Sequence, residues 1–146
     1  MSAVPAVLLA YVDGLMQHDV AAIGATVGSD LAFVARDRVL DRAAFLAFLT
    51  ALYQAFPDWT YDHDPPRALS SGAFVIRWRQ GGKHSGTLAL PGFPVVSPTG
   101  RSVRIPEQDF CYRIEAELIR EIRPDPVEGG APHGIFQQIG IALPPL

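Results

Sequence analysis

The stretch "DRAAFLAFLTALYQAFPDWTYDHD", residues 41–64, contains the point where the periodicity of the sequence changes. Before Pro57, apolar residues recur every three or four positions, which predicts an amphipathic helix with Asp41 as its N-cap. Proline lacks a backbone N–H and cannot continue a helix, so the helix ends there. After Pro57, apolar and polar residues alternate, as they do in a half-buried strand. The stretch therefore predicts helices in the first part of the chain and a sheet in the rest.

The same division continues on both sides of this stretch. Helical spacing extends over residues 4–26, and residues 31–35 have the composition of a short strand. Strand-like runs separated by glycine and proline follow at residues 73–80, 87–90, 101–105, 108–114 and 117–124. Residues 133–140 predict a short closing helix. This order predicts an α+β fold, in which a curved mixed or antiparallel sheet wraps the N-terminal helices and leaves an apolar pocket.

The composition limits the class of protein and its partners. A chain of 146 residues, 49% hydrophobic and 18% charged, can build a core and fits a single domain over residues 1–146. The net charge of −3 and the lack of any lysine or arginine run argue against nucleic acid and membrane surfaces as partners. No apolar run could span a bilayer, and the first residues lack the basic region of a signal peptide, so we expect a cytoplasmic protein. Cys111 is the single cysteine and excludes an internal disulfide.

The sequence lacks the common cofactor and metal motifs. It contains no phosphate-binding loop, no Rossmann glycine pattern, no CxxC and no HExxH, so we expect no cofactor. Asp62, His63 and Asp64 are possible metal ligands, but on a strand His63 points to the face opposite its neighbours. We therefore expect a solvated strand end there and no metal site.

Asp109 is the first candidate for acid–base chemistry. Strand alternation in "EQDFCYRI", residues 107–114, places Asp109 on one face with Arg113 and puts Tyr112 on the other. A buried carboxylate has a raised pKa, which suits a general base. A carboxylate that pairs with Arg77 or Arg113 is instead a structural group, and the residues alone leave both interpretations open.

His84 is the second candidate. It stands in "GGKHSG", residues 81–86, directly after a predicted strand. A lone histidine is either a structural hydrogen-bonding group or a functional one, and spacing does not decide between them. The aromatic residues Tyr11, Trp59 and Trp78 are equally open, because an aromatic side chain suits a core or a pocket wall.

Five stretches of the sequence match the elements of one known family. In chain order they are "AFPDW" (55–59), "FVIRWRQGGKHSG" (74–86), "PTGR" (98–101), "YRIEAELIREI" (112–122) and "IFQQIG" (135–140). In the second stretch, Arg77, Trp78 and His84 stand at the spacing of an Arg-Trp pair and a Gly-Thr-His-x-Gly element, with Lys83 in place of the threonine. Together they resemble the SnoaL-like polyketide cyclase family, within the nuclear-transport-factor-two-like superfamily, over nearly the whole chain.

The resemblance implies a cone-shaped α+β barrel whose pocket is closed at its deep end and open to ligand at the other. In these cyclases an aspartate on a late strand acts as acid and base without metal or cofactor. A proton next to a carbonyl group is removed, and the enolate closes a ring. Asp109 is nearest to the family's aspartate, and His84 would lie at the pocket, where it could orient Asp109 or donate to the developing oxyanion.

The resemblance also bears on the ligand. It implies a hydrophobic polyketide-like or terpenoid molecule, and we further expect a homodimer formed through the outer face of the sheet. The side chains expected to bind the substrate are Tyr11, Trp59, Arg77, Trp78, Phe93 and Arg113.

The chain departs from the family pattern at two informative places. The segment "LALPGFPVV", residues 88–96, is longer than the family's glycine-rich link, and we expect it to cover the mouth of the pocket. The family's aspartate lies three residues before the arginine of its strand, whereas Asp109 lies four residues before Arg113. A shift of one residue turns a side chain to the opposite face of the strand, unless a bulge compensates.

Three functions follow from these expectations. The first is a cofactor-independent cyclase or isomerase with Asp109 as the base and His84 as its helper. The second is a hydrolase of the epoxide or ester type, which would need a further aspartate near Asp109 and Arg113. The third is a non-catalytic domain that binds a small molecule. A buried Asp109 that faces a closed cavity favours the first two, and a paired or solvated Asp109 favours the third.

Overall fold

The computed structural model describes residues 3–36 and 38–143, and it confirms the α+β class. The helices are α1 (Ala6–Met16), α2 (Val20–Gly24), α3 (Arg42–Ala55) and α4 (His133–Gln138). The strands are β1 (Val27–Val34), β2 (Val39–Leu40), β3 (Thr60–His63), β4 (Arg67–Ala68), β5 (Phe74–Lys83), β6 (Ser102–Glu115) and β7 (Leu118–Pro124). None of the helices in the described residues is long and apolar enough to cross a bilayer.

The strands of the described residues form one sheet with the order β2-β1-β7-β6-β5-β3, and β4 pairs with β5 outside this path. β1 and β7 run parallel, and the other pairs are antiparallel, so the sheet is mixed. The sheet is curved and does not close on itself, which is the cone-like α+β fold expected from the sequence.

The core lies between the helices and one face of the sheet, which we call the inner face. Leu8 and Leu15 of α1, Phe45 and Leu49 of α3 and Ile76 of β5 belong to one buried hydrophobic cluster. Burial of side chains of this size contributes roughly 1.5–3 kcal/mol each to stability. The helices are therefore held to the sheet mainly by their apolar sides.

Helix α3 begins and ends where the sequence predicts. The carboxylate of Asp41 accepts a hydrogen bond from the backbone N–H of Ala44 at 2.8 Å, which is the N-cap interaction. The helix ends one residue before Phe56, and Pro57 follows. Phe56 is fully buried and its ring meets that of Trp59 with the centroids 5.1 Å apart, so the turn after the helix belongs to the core.

β6 is one strand of 14 residues where the sequence analysis expected two strands. The expected break lies at Pro106, which cannot donate a hydrogen bond to a neighbouring strand. β7 pairs with β6 only from Phe110 onward, and the register with β5 shifts between Trp78 and Gln80, opposite the proline. Pro106 therefore lies at a bulge with a single neighbouring strand, where its missing N–H costs little.

Residues 87–90 do not form the expected strand. A bridge joins Leu88 to Val96, and both of these side chains are buried. Between them, Phe93 lines the cavity described below, and Val95 is 70% exposed. The segment therefore has ends that belong to the core and a tip that lies at the cavity, so only the tip can act as the expected cover.

The small residues around His84 let the chain after β5 approach the end of α3 closely. The backbone N–H groups of Ser85 and Gly86 both donate to the carbonyl oxygen of Ala55, at 3.2 and 2.9 Å. A Cβ atom on Gly86 would overlap the carbonyl oxygen of Gln54. Glycine is therefore required here by the close approach of two backbones.

Replacing Gly86 by alanine should destabilise the protein, because the two backbones would have to separate. Overpacking of this kind typically lowers the free energy of unfolding by ~1–3 kcal/mol, which urea denaturation would measure. Ser85→Ala changes the exposed neighbouring position and should alter that free energy by less than ~0.5 kcal/mol. Equal stability of the two variants would contradict the close approach.

Candidate functional site

A cavity of about 390 Å³ lies between the helices and the inner face of the sheet. Its walls are mainly apolar, with Leu15 from α1, Phe45 and Leu49 from α3, and Phe110 from β6 among the lining side chains. A cavity of this size with a few polar groups in apolar walls is typical of a small-molecule site.

Four of the six side chains expected to bind substrate line this cavity: Tyr11, Trp59, Trp78 and Phe93. Tyr11 comes from α1, Trp59 from the turn after α3, Trp78 from β5, and Phe93 from the tip of the 88–96 segment. The fold thus brings together aromatic residues from four separate parts of the chain. Their contact with a substrate stays a prediction.

Two hydrogen-bonded pairs of aromatic side chains lie at the cavity. The indole N–H of Trp78 donates to the hydroxyl oxygen of Tyr112 at 2.8 Å, and the ring of Tyr112 meets that of Tyr11 edge to face with centroids 5.5 Å apart. The hydroxyl groups of Tyr53 and Tyr61 are hydrogen bonded at 2.6 Å. The sequence contains four tyrosines, so every phenol of the protein lies in or beside the cavity.

Burial keeps these phenols neutral. Desolvation, followed by the neighbouring phenols, raises the pKa of Tyr11 and that of Tyr61 well above the ordinary value. Burial raises the pKa of Tyr53 to about 12, and it raises the pKa of Tyr112 although the N–H of Trp78 opposes the shift. A neutral phenol donates one hydrogen bond and also accepts, so this wall of the cavity offers donors without charge.

The mouth of the cavity carries the charged side chains. Those that line the cavity are Arg36, Arg38, Asp125, Glu128 and His133. The two carboxylates are exposed and the imidazole is half-buried. Apart from the phenols, the side chains of the described lining that can act as acids or bases therefore lie at the entrance of the cavity.

Phe93 lines the cavity and contacts two of the charged or titratable side chains at the mouth, Arg38 and His133. The guanidinium carbon of Arg38 lies 4.6 Å from the centroid of the Phe93 ring, within the range of a cation–π interaction. The ring stacks on Phe136 with centroids 5.2 Å apart, and His133 meets it edge to face at 6.0 Å. These contacts hold the tip of the 88–96 segment against the entrance.

Asp109 lies outside the cavity, on the outer face of the sheet. The guanidinium of Arg77 donates to both of its carboxylate oxygens, at 2.8 and 3.3 Å, and Arg67 adds a contact at 3.5 Å. The hydrogen bond from Arg77 holds the pKa of Asp109 below its ordinary value. This placement corrects the expectation that Asp109 faces the pocket, and it gives no support to a role as general base.

Phe110 occupies the position that the resemblance assigns to the aspartate. It lies three residues before Arg113, and its side chain lines the cavity. The register between β5 and β6 runs without a shift from the Phe74–Tyr112 pair to the Trp78–Gln108 pair, so no bulge compensates for the one-residue displacement of Asp109.

Arg77 and Arg113 also lie on the outer face, so the structure does not place them with the other expected substrate-binding residues. Besides Asp109, Arg77 reaches Glu107 at 3.7 Å, and Arg113 pairs with Glu115 at 2.8 Å. Neither arginine lines the cavity, because strand alternation turns both away from it.

His84 is fully buried but does not line the cavity. Its Nδ1 accepts a hydrogen bond from the backbone N–H of Thr99 at 3.2 Å and lies 2.9 Å from the Thr99 hydroxyl. Its backbone bonds to Gly100 and Arg101, both at 2.9 Å, and its Nε2 has no hydrogen-bond partner in the described part of the chain. Burial lowers the pKa of His84, so the neutral ring joins the end of β5 to the segment before β6.

The acidic stretch near the end of β3 pairs with an arginine. Asp62 and Asp64 both contact Arg79, at 2.8 and 3.0 Å, and Nδ1 of His63 lies 2.8 Å from the backbone oxygen of Asp64. Across residues 3–36 and 38–143, no group of three or more His, Cys, Asp or Glu side chains is placed to hold a metal ion.

The sequence analysis missed Tyr61, Tyr112 and His133 as cavity residues. Alternation along β6 already placed Tyr112 on the face opposite Asp109, so knowledge of which face the helices cover would have identified it. His133 begins a short helix, and nothing in its spacing distinguishes it from an ordinary surface histidine.

A model of the SnoaL-like domain family matches residues 8–122. Among curated proteins no significant match to the sequence was found.

Solved structures with the same fold include proteins with several described activities. AclR from Streptomyces galilaeus, a proposed hydroxylase, has a TM-score of 0.72 and 20% identity, with 97% of this chain and 82% of that chain covered. A proposed SnoaL-like polyketide cyclase from Jannaschia sp. CCS1 has a TM-score of 0.70 and 14% identity, with 98% of each chain covered. SalBIII is described as an epoxide hydrolase/cyclase-like enzyme in pyran ring formation in the polyether salinomycin. It has a TM-score of 0.64 and 15% identity, with 81% of this chain and 85% of that chain covered. At these identities the similarity establishes the fold alone.

Replacing Asp109 by asparagine should leave ligand binding in the cavity unchanged, because the side chain lies on the outer face. The variant loses a partly exposed ion pair, so its melting temperature should fall by no more than about 5 °C. Glu115→Gln removes the carboxylate partner of Arg113 from the same strand. It should likewise leave binding unchanged and lower the melting temperature only slightly. A loss of binding or turnover in Asp109→Asn alone would restore Asp109 as a functional residue.

Stability should also depend on pH through His84. Its pKa is lower in the folded protein than in the unfolded chain, so the unfolded chain binds more protons between these two values. The stabilisation that the neutral His84 ring gives the folded protein is complete above the unfolded pKa, ~6.5. It is lost as the pH falls from there toward the folded pKa, and the free energy of unfolding then decreases by up to about 1.4 kcal/mol per pH unit.

The check is urea denaturation of the wild type and His84→Asn from about pH 8 to about pH 5. Asparagine can still accept a hydrogen bond from the backbone of Thr99 but does not titrate. The difference in free energy of unfolding between the two proteins should therefore shrink toward acid pH. A difference that stays constant over this range would show that His84 titrates normally.

Proposed function

The chain belongs to the SnoaL-like domain family, and we propose that it is an enzyme that binds a hydrophobic polyketide-like or terpenoid molecule in its cavity and rearranges it by proton transfer next to a carbonyl group. The reaction would be an aldol-type ring closure or a proton shift. The observation that carries this proposal is the cavity of about 390 Å³ with aromatic walls, neutral hydrogen-bond donors inside and titratable groups at its mouth.

The cavity supports the class of ligand. Its described lining is dominated by aromatic and aliphatic side chains, and the ring of Phe33 lies against those of Phe45 and Phe110, with centroids 5.1 and 6.5 Å away. Walls of this kind suit a flat apolar molecule, and a small number of polar groups orients it. The comparisons support the reaction class only by analogy of fold, since structurally similar proteins are described as cyclases.

We assign the acid–base step to His133 rather than to Asp109. Asp109 is held by Arg77 outside the cavity, whereas His133 lines the mouth and is half-buried. One ring nitrogen of a neutral imidazole can accept a proton while the other donates a hydrogen bond. In this proposal His133 takes the proton from the carbon next to the carbonyl, and the C–H electrons form the enolate. In a ring closure the enolate carbon bonds to a second carbonyl carbon of the same molecule, and the alkoxide that results takes the proton back from the imidazolium. In a proton shift the imidazolium returns the proton to a different carbon of the enolate.

A non-catalytic binding function is the second candidate. It is favoured by the Arg77–Asp109 ion pair and by Phe110 in the position expected for a catalytic carboxylate. Hydrolysis of the epoxide or ester type is not proposed, because Asp109 and Arg113 both lie outside the cavity. A homodimer stays a prediction, and its expected contact surface, the outer face, carries the pairs of Arg77 and Arg79 with carboxylates.

Filling the cavity tests the proposal. Ala44 of α3 lines the cavity, and Ala44→Phe should occupy part of it and weaken binding of 2-tetralone, a small bicyclic ketone, by at least about tenfold. Ala47→Phe makes the same substitution on the exposed side of the same helix and should bind as the wild type does. Fluorescence quenching of the cavity tryptophans would measure both affinities.

Catalysis is tested with the same ketone. In D₂O the wild type should accelerate exchange of the protons next to the carbonyl of 2-tetralone, by about 10²-fold over buffer if His133 acts as a positioned base. His133→Asn and Ala44→Phe should both lower the rate toward that of buffer, as followed by proton NMR. Binding without exchange would favour the non-catalytic function, and binding unaffected by Ala44→Phe would place the ligand site elsewhere.

A further inference from the structure

Residues 126–132, here called the strap, form one side of the mouth of the cavity. The strap lies over the cavity along its whole length, because residues 124–134 all line it. None of the strap residues is buried, and its sequence includes two prolines and two glycines. Gly129 adopts the left-handed conformation, with φ at +84°. A segment with so few buried side chains opens at a low cost in free energy.

The two ends of the strap are fixed, whereas its middle is not. Before the strap, the backbone N–H of Asp125 donates to the carbonyl oxygen of Asp109 at 2.9 Å. After it, Ile135 and Phe136 of α4 are fully buried. Within the described residues, the backbone hydrogen bonds of residues 126–132 go only to one another and to α4. The middle of the strap can therefore leave the cavity without breaking a hydrogen bond to the sheet.

One side chain of the sheet reaches the start of the strap. Nε2 of Gln108 donates to the backbone carbonyl oxygen of Asp125 at 2.7 Å, a bond here called the latch. A carbonyl oxygen only accepts, so the group that faces it must be the NH₂ of the amide. Gly130 lies close to the same side chain, since a Cβ atom at Gly130 would be 3.6 Å from Nε2. Gln108 thus holds the strap at its first end and lies beneath its middle.

The oxygen of the same amide is available to a ligand. Gln108 is 8% exposed and lines the cavity. Among the described residues, no N–H or O–H group donates to its Oε1. An amide oxygen that is withdrawn from bulk water and lacks a donor is unfavourable. A ligand hydroxyl group that donates to this oxygen would therefore be bound preferentially.

We propose that Gln108 is a positioning residue that couples occupancy of the cavity to closure of the strap. A hydroxyl group of the ligand donates to Oε1, which polarises the amide and strengthens the latch to Asp125. The ligand class is then a flat apolar molecule that carries a hydroxyl group. Closure also holds His133, which directly follows the strap, at the mouth. The inference rests on the proposed function in one respect, that a ligand occupies the cavity.

Hydrogen–deuterium exchange of the full-length protein tests the latch without a ligand. Gln108→Met keeps the length of the side chain and removes both polar ends of the amide. Exchange in peptides from the strap should become about 3- to 10-fold faster, as expected for the loss of one hydrogen bond. Peptides from α3 should exchange as in the wild type, which separates opening of the strap from a general loss of stability.

Gln80→Met is the matched control. Gln80 also lines the cavity, on the strand beside Gln108, but its Oε1 accepts from the indole N–H of Trp59 at 3.2 Å. No hydrogen bond in the described part of the chain joins Gln80 to the strap. The control variant should therefore leave exchange in the strap unchanged.

Two probes of similar shape test the coupling. 2-Naphthol can donate a hydrogen bond to Oε1, whereas 2-methoxynaphthalene cannot. At saturation of the wild type, exchange in the strap should be at least about threefold slower with 2-naphthol than with 2-methoxynaphthalene. This difference should disappear in Gln108→Met and persist in Gln80→Met.

The possible outcomes separate the latch, the coupling and the proposed function. Equal exchange in the strap of the ligand-free wild type and of a folded Gln108→Met would overturn the latch. Equal exchange with the two probes in the wild type, a comparison that needs no variant, would overturn the coupling. Failure of both probes to displace 2-tetralone would count against the proposed function and the coupling that rests on it, while the ligand-free experiment still decides the latch.

Discussion

Uninterrupted alternation along β6 from Gln108 to Tyr112, in the register that β5 imposes, decides which side chains reach the cavity. The Trp78–Gln108 pairing turns Phe110 and Tyr112 toward the helices and leaves Asp109 on the outer face. A register shift of one residue would exchange the two rows and would bury a carboxylate while exposing two aromatic rings. Both changes are unfavourable, so the hydrophobic effect and the desolvation of charge select the same register. The chemistry available in the cavity follows from that choice.

Local patterns predicted the elements well where neighbouring residues in the sequence determine the structure. Asp41 and Pro57 bound α3 because capping and the loss of an N–H act within one helical turn. The prediction of strand ends failed where pairing with a neighbouring strand determines the structure. Pro106 was expected to end a strand, but it lies beside a bulge where no second strand requires its N–H. Leu88 was expected in a strand, but its side chain is buried in the core and its backbone forms an isolated bridge with Val96.

The types of residue at the site were easier to predict than their orientation. Asp109 and Tyr112 lie three positions apart on one strand, and nothing in the sequence says which face the helices cover. The resemblance favoured the carboxylate, and the structure places the phenol inside. The resemblance placed His84 at the pocket, although the spacing of the residues around it left its role open. The small residues instead allow two backbones to meet at Gly86, and the ring itself bonds to Thr99.

The nine residues from Leu88 to Val96 are constrained by the core at their two ends and reach the mouth of the cavity at the tip. Its ends are bridged and buried, so the spacing of the two attachment points is set by the core. Its tip contributes one large ring, Phe93, to the entrance and leaves Val95 in solvent. Because the cost of closing a loop depends only weakly on its length, insertions and exchanges in the tip would change the free energy of folding little. Exchange of the tip during divergent evolution would therefore change the wall of the cavity mouth, while the sheet and helices beneath it stay unchanged.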